Sequence, residues 1–283
     1  MSIKIITDST SDLPLDLAES LGVTIVPANV IFGQEQFKDR IEMSPAQFYQ
    51  RLVDSPVHPT TSAPSIGQFV EAYESVAPDA DGIVSVHVSA KLSATYNAAV
   101  QASEQVSLDC PIEVIDSEQA TFGLGLPVIA AATSAAEGAD FDTVVKVARS
   151  ANERSRCIAL FDTLEYLQRG GRIGKAQAMV GSILRIKPMI IVQDGEVQPL
   201  GKARTYAKGL AQIQQVARDF GPAENLCVMY STDEDAARQL ADSISDLLPE
   251  GQDPIVAPLG PGVGAHVGPG AVGIVSLTAS TGE

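Results

Sequence analysis

The chain has 283 residues, enough for one large core or two ordinary ones. Its 35 acidic side chains outnumber 19 basic ones for a net charge of −16, which repels phosphate backbones at long range and argues against nonspecific nucleic-acid binding. Cys110, Cys157 and Cys227 lie far apart beside three dispersed histidines, a pattern that excludes a disulfide framework and a zinc cluster and suits free thiols in a reducing cytoplasm.

Residues 1–6 run straight into a strand-like segment with no signal-peptide layout, so a cytoplasmic location is expected. Strand candidates at 3–7, 23–31, 82–88 and 112–115 show little polar alternation, as expected when both faces are covered. Between them lie helical candidates at 13–21, 44–53, 66–76 and 93–106. Pro14 and Pro45 suit first helical turns, and Ser44 and Ser65 look like N-caps. A longer small-residue helix follows from about 122 to 137. Its apolar stretch is too short to span a bilayer and contains Pro127, so no integral membrane segment is expected.

The second half changes character. Strand candidates fall at 157–161, 189–192, 197–204, 226–230, 254–259 and 271–278, with helices at 206–220 and 234–248. Asp194-Gly195 between two of the strands is a strong hairpin signal. The expected fold class is α/β: an N-terminal parallel-sheet α/β domain over 1–154, then a C-terminal domain over 155–283 with a mostly antiparallel six-stranded sheet and helices.

In parallel α/β domains ligands sit beyond the carboxyl ends of the strands. Four segments fall there: Thr7 to Asp12, Pro59 to Ser65, Ser89 to Tyr96, and Asp116-Ser117. Their hydroxyls and free helix-start amides suit a carboxylate or phosphate, or serve only as N-caps. Arg169, Gly170, Gly171, Arg172 and Lys175 form a basic turn in an acidic chain, which reads as an anion site or as a solvated helix end. His266 lies in a run of glycines expected to adopt unusual dihedrals, where an imidazole either holds an anion or is structural.

Together, Ile6-Thr7-Asp8-Ser9-Thr10-Ser11-Asp12-Leu13-Pro14, Thr61-Ser62-x-Pro64-Ser65, Leu92-Ser93-x-Thr95-Tyr96, Tyr166 to Lys175, Ile186-Lys187-Pro188, Lys202-Ala203-Arg204 and His266-x-Gly268-Pro269-Gly270 resemble the DegV family, in order and spacing, from residue 3 to about 278. That family comprises the fatty-acid-binding subunits of bacterial fatty acid kinase. The resemblance implies a long-chain fatty acid held between two domains, no cofactor, and a separate kinase catalytic subunit that makes acyl phosphate. By motif position, Thr61 and Ser93 would bind the carboxylate with Ser62 and Ser9 nearby, His266 would hold the head-group network, and Arg204 and Arg172 would face phosphate or the kinase. Ala63, Ala94 and Ala265 stand where the family commonly has Gln, Gly and Thr.

Such a ligand suits the composition. Buried methylenes contribute ~0.8 kcal/mol each, so a tail of about sixteen carbons contributes on the order of 10 kcal/mol before ordering costs. Residues 122–136 with Ile183, Leu184, Ile186 and Ile190 are candidate tunnel walls, or plain core. The absence of Trp leaves no obvious stacking platform for a base or sugar. The competing expectation is a stand-alone hydrolase or phosphotransferase using Asp8, Ser9 and His266 on a small polar substrate.

Overall fold

The computed structural model describes residues 2–180 and 186–280. The first half runs β1 (Ile3–Asp8), α1 (Leu15–Ser20), β2 (Val23–Val26), β3 (Asn29–Phe32), β4 (Glu35–Lys38), α2 (Pro45–Asp54), β5 (Thr60–Ser62), α3 (Ile66–Val76), β6 (Gly82–His87), α4 (Thr95–Gln105), β7 (Ile112–Asp116), α5 (Phe122–Ala136) and α6 (Phe141–Arg154). The second runs β8 (Ser155–Leu160), α7 (Glu165–Arg169), β9 (Lys187–Gln193), β10 (Glu196–Ala203), α8 (Tyr206–Asp219), β11 (Ala223–Tyr230), α9 (Glu234–Ile244), β12 (Ile255–Pro258), α10 (Pro261–Val267) and β13 (Val272–Thr278).

The first sheet has order β2-β1-β6-β7, every pair parallel. Its central strand β6 is buried throughout, which accounts for its lack of alternation. Phe69 and Tyr73 of α3 and Ala99 and Ala102 of α4 pack on Ile6 and Ile83 across one face. The second sheet has order β10-β9-β8-β13-β11-β12, antiparallel except for β11–β12. Ile213 of α8 and Leu240 and Ile244 of α9 cover its outer face through Ile158, Leu160 and Val228.

Helix α5 fills the space between the sheets, packing on β1 and β6 on one side and on β8 and β13 on the other. The main apolar cluster therefore joins Val84, Leu126 and Val275 in one core. Pro127 inside α5 lacks the N–H that would bond the Gly123 carbonyl, and Ser155 donates its hydroxyl to that oxygen at 2.8 Å instead.

The expected strand at 23–31 is two strands. Pro27 cannot donate to a ladder, and beyond it the chain leaves the parallel sheet to form a separate antiparallel sheet of order β4-β3-β5. The hydroxyl-rich segment before the third expected strand is not simply a loop, since Thr60–Ser62 is β5. Helix α6, unanticipated, buries Val144, Ala148 and Ala151 at helical spacing, a stripe made faint by small alanines. At the expected hairpin, Asp194 (φ 53°) and Gly195 (φ 76°) are both left-handed, as a primed turn requires.

Most of the glycine run near His266 is an ordinary helix, α10, and only Gly268 and Gly270 have positive φ, at 74° and 76°. Gly262 and Gly264 are there for close approach: a Cβ would lie 2.5 Å from Asp39 Oδ2 and 2.7 Å from Tyr49 Oη respectively. The expectation of unusual backbone across the whole run is corrected accordingly.

Leu126 on α5 is fully buried in the core shared by both sheets. Leu126→Ala is expected to cost about 2–5 kcal/mol, read as a lower urea midpoint.

Candidate functional site

A cavity holding about 1190 Å³ of space, mouth included, lies beyond the carboxyl ends of β1, β6 and β7, against the inner face of the second sheet. Alternation along the strands supplies the wall: Cys157 and Ala159 on β8, Ile190 and Val192 on β9. Phe161 and Met229 extend the apolar surface. Thr61, Ser62, Ser93, Thr95, Arg172 and His266 form a polar margin to it.

The margin is assembled from distant segments. Thr61 is fixed by pairing with Val30 in the small sheet, and its Oγ1 lies 2.8 Å from His266 Nε2. His266 arrives on the last turn of α10. Its Nδ1 is buried without a hydrogen-bond partner among the described residues, against the backbone of Gly170, where a Cβ would approach to 2.1 Å. Burial, followed by the charge of Arg172 and then of His58, lowers the His266 pKa to about 4, so the ring is neutral at physiological pH. Ser93 and Thr95 share a hydrogen bond of 2.8 Å between their hydroxyls at the start of α4. Arg172 donates from Nε to the Leu92 carbonyl (3.1 Å) and from Nη1 to the Gly170 carbonyl (2.7 Å), binding the Ser93 loop to the end of α7.

Of the expected head-group residues, the structure brings Thr61, Ser62, Ser93 and His266 to one cavity and leaves Ser9 outside it; of the two arginines expected to face phosphate or the kinase, Arg172 lines the cavity and Arg204 does not. Ser9 is corrected to a structural role: its Oγ donates to Asp39 Oδ2 at 2.7 Å and accepts from the Ala28 N–H at 3.0 Å, so both capacities are spent in the core. Arg204 is exposed just past β10, where Ala203 pairs with Lys187, itself ion-paired with Asp162 beside the cavity-lining Phe161. The basic turn divides. Arg172 enters the site, Arg169 pairs with Glu165 on its own helix, and Lys175 lies 3.8 Å from Glu196.

The expected tunnel walls change too. Ile190 lines the cavity, whereas α5 and Ile186 do not; Ile183 and Leu184 lie outside the described residues. Ala63 and Ala94 line the cavity, and Ala94 adopts an ordinary right-handed φ of −74°, so nothing there requires glycine. Ala265 faces the core instead. Asp8, Ser9 and His266 do not meet. Asp8 Oδ2 lies 3.0 Å from His87 Nδ1, and His87 Nε2 lies 2.6 Å from Ser85 Oγ, all of it buried.

Two acids that sequence reasoning did not assign to the site hold α10 in place. Asp12 Oδ1 accepts from the Gly260 N–H (2.8 Å) and Arg40 (3.2 Å), and its Oδ2 accepts from Thr121 (2.6 Å). Asp39 Oδ1 accepts from the Gly262 N–H (3.0 Å). Burial raises the pKa of both, that of Asp39 to about 7, with Asp12's charge adding to the rise and the Ser9 hydrogen bond opposing it. Asp12 lies within a hydroxyl-rich segment already noted, but nothing local marks Asp39.

The DegV family model matches residues 2–279. A DegV domain-containing protein of Streptomyces coelicolor is 38% identical over 277 residues, covering 96% of this chain and 97% of that protein. One from Halalkalibacterium halodurans is 36% identical, covering 96% and 97%. Among solved structures, a fatty-acid-binding DegV family protein from Thermus thermophilus superposes with a TM-score of 0.90 at 33% identity, covering 99% of this chain and 100% of that one. A stearic-acid-binding protein from Eubacterium ventriosum gives 0.87 at 28%, covering 98% and 99%. No helix among the described residues is long and apolar enough to cross a membrane.

The His266 pKa lies below its ordinary value of 6.5, so the unfolded chain takes up a proton that the folded one refuses. The resulting stability is present above pH 6.5 and is lost as pH falls toward 4. His266→Gln removes this titration. Its thermal midpoint should fall less than the wild type's between pH 6.5 and 4, a difference on the order of several degrees by differential scanning fluorimetry.

Proposed function

Because the chain belongs to the DegV family, we propose that it binds a long-chain fatty acid, with the tail in the apolar cavity and the carboxylate at Thr61, Ser93, His266 and Arg172, with Ser62 nearby. The observation that carries this reading is an apolar channel ending in hydroxyls, a neutral imidazole and a single guanidinium. Hydroxyls donate to a carboxylate without a large desolvation cost of their own, and one arginine supplies the counter-charge. The apolar walls supply the affinity, since each methylene leaves water. The fatty-acid-binding relatives of Thermus thermophilus and Eubacterium ventriosum share the fold over nearly their whole length.

The protein acts as a carrier in the cytoplasm. It solvates the tail and presents the carboxylate to a separate ATP-dependent kinase, which forms the acyl phosphate. The carrier itself has no turnover. Exposed Arg204, at the sheet end near Lys187 and Asp162, faces that kinase. A stand-alone hydrolase built on Asp8, Ser9 and His266 gains no support, because the three have separate partners.

Organic extraction of the purified protein followed by mass spectrometry tests the reading: a stoichiometric C16–C18 acid is expected, and a protein that neither carries nor takes up such an acid rejects it. Thr61→Ala with Ser93→Ala removes two donors to a charged group and should weaken fatty-acid binding by at least ~10-fold at an unchanged thermal midpoint. Arg204→Ala should retain the lipid while slowing acyl phosphate formation by the kinase; loss of lipid would remove Arg204 from the partner-facing role.

A further inference from the structure

One register row of the mixed sheet forms the floor of the channel. Ile190 pairs with Ala159, Ala159 with Gly273, and Gly273 with Met229, and all four line the cavity. Residues paired across strands share a face, so the row is a continuous surface. Beyond Met229 it passes to Ala257 of β12, which is buried and outside the cavity. In the neighbouring row Val192 and Cys157 still line the channel, whereas Val275 and Cys227 are packed into the core with α5. Met229 therefore ends the floor.

Met229 also lies away from the polar margin. Helix α10 runs along the channel as a side wall, with Gly262, Val263, His266 and Val267 lining it. His266 meets Thr61 at the last turn. Leu259, just ahead of the first turn, donates its N–H to the carbonyl of Tyr230, the chain neighbour of Met229. The seven residues of the helix place about 10 Å between those two ends.

The Met229 side chain is held across the floor at both of its outer atoms. Its Sδ lies 2.8 Å from Oγ1 of Thr121, the hydroxyl that donates to Asp12. Thr121 keeps a φ of 53°, a conformation β-branched residues rarely adopt, which fixes where that hydroxyl points. The Met229 Cε lies 3.2 Å from where a Cβ on Gly273 would stand, so the methyl rests over bare strand backbone. Glycine weakens a strand interior, and a close approach of this kind is a reason for one.

We propose that Met229 is the stop that sets the length of acyl chain the channel accepts, with Gly273 as the seat of its methyl group. On the fatty-acid reading, on which this rests, the end of the ligand's tail abuts the Met229 thioether. Cutting that side chain back to alanine removes Cγ, Sδ and Cε and leaves room for roughly as many methylenes. Each methylene so buried multiplies affinity about fourfold.

Exchange of the purified full-length protein with an excess of equimolar tetradecanoic, hexadecanoic, octadecanoic and eicosanoic acids, followed by extraction and mass spectrometry of the bound fraction, tests the assignment. Met229→Ala should raise the bound ratio of eicosanoic to hexadecanoic acid at least about tenfold over wild type. Gly273→Ala, whose Cβ takes the seat of the Met229 methyl and pushes it into the channel, should shift binding the other way, toward tetradecanoic acid. Opposite shifts separate a stop from a general loosening of the core. Should either variant fail to fold, Met229→Leu, which keeps the core volume, decides by a shift of at least about twofold toward the longer acid. A wild type that takes up no acid overturns the fatty-acid reading and the stop with it. A wild type that binds, while the folded variants keep its chain-length profile or all shift it the same way, overturns the role of Met229 alone.

Discussion

Everything at the candidate site depends on two dehydrated carboxylates, Asp12 and Asp39, gripping the first amides of α10. Gly260 and Gly262 present their N–H groups at 2.8 and 3.0 Å, where the helix dipole adds to the attraction. The approach is possible only without side chains: a Cβ at Gly260 would lie 2.7 Å from Asp12 Oδ1. Acid motif and glycine run are thus one device, although some 250 residues of chain separate them. A helix of seven residues would not hold its direction alone. Clamped at its start, it delivers His266 to Thr61 at its end.

The same economy governs charge. Neutral His266 brings no counter-ion, and Arg172 spends two donors on backbone carbonyls, so its guanidinium is oriented before any ligand arrives. Deeper in the parallel sheet, Asp8, His87, Ser85 and Tyr73 form a hydrogen-bonded chain whose composition resembles a nucleophile relay. All four are shut away from solvent, and Ser85 already accepts from the Tyr73 hydroxyl, so no substrate reaches it. Its service is mechanical. Asp8 also takes the N–H groups of Thr10 and Val88, fixing the loops after β1 and β6 that line the channel.

Much of this was legible from residue order. Unbroken apolar runs gave away most strands of both sheets, and helical periodicity gave α3 to the residue, because burial on one or two faces leaves a compositional trace. The break at Pro27 was missed because apolar residues continue past it into another sheet. Short α10 escaped because glycines mask helical periodicity, α7 because five residues barely exceed one turn, and α6 because alanines weaken its stripe. Thr61, Ser93 and His266, which the fold brings to one cavity, were reachable through the motifs carrying them. Ser9 was misplaced since a hydroxyl beside a strand end looks the same whether it meets a ligand or a buried acid. Gly170 and Asp39 had no signal of their own: one matters for an atom it lacks, the other for a partner far along the chain.

The repair at Pro127 reaches further than one hydrogen bond. Ser155 is the first residue of the mixed sheet, yet it completes a helix belonging to the segment before it. Cutting the chain at that junction, where the topology changes, would strand a carbonyl in one fragment and strip the inner face of the sheet in the other. The architectural seam is therefore bridged by a shared hydrogen bond and a shared apolar core.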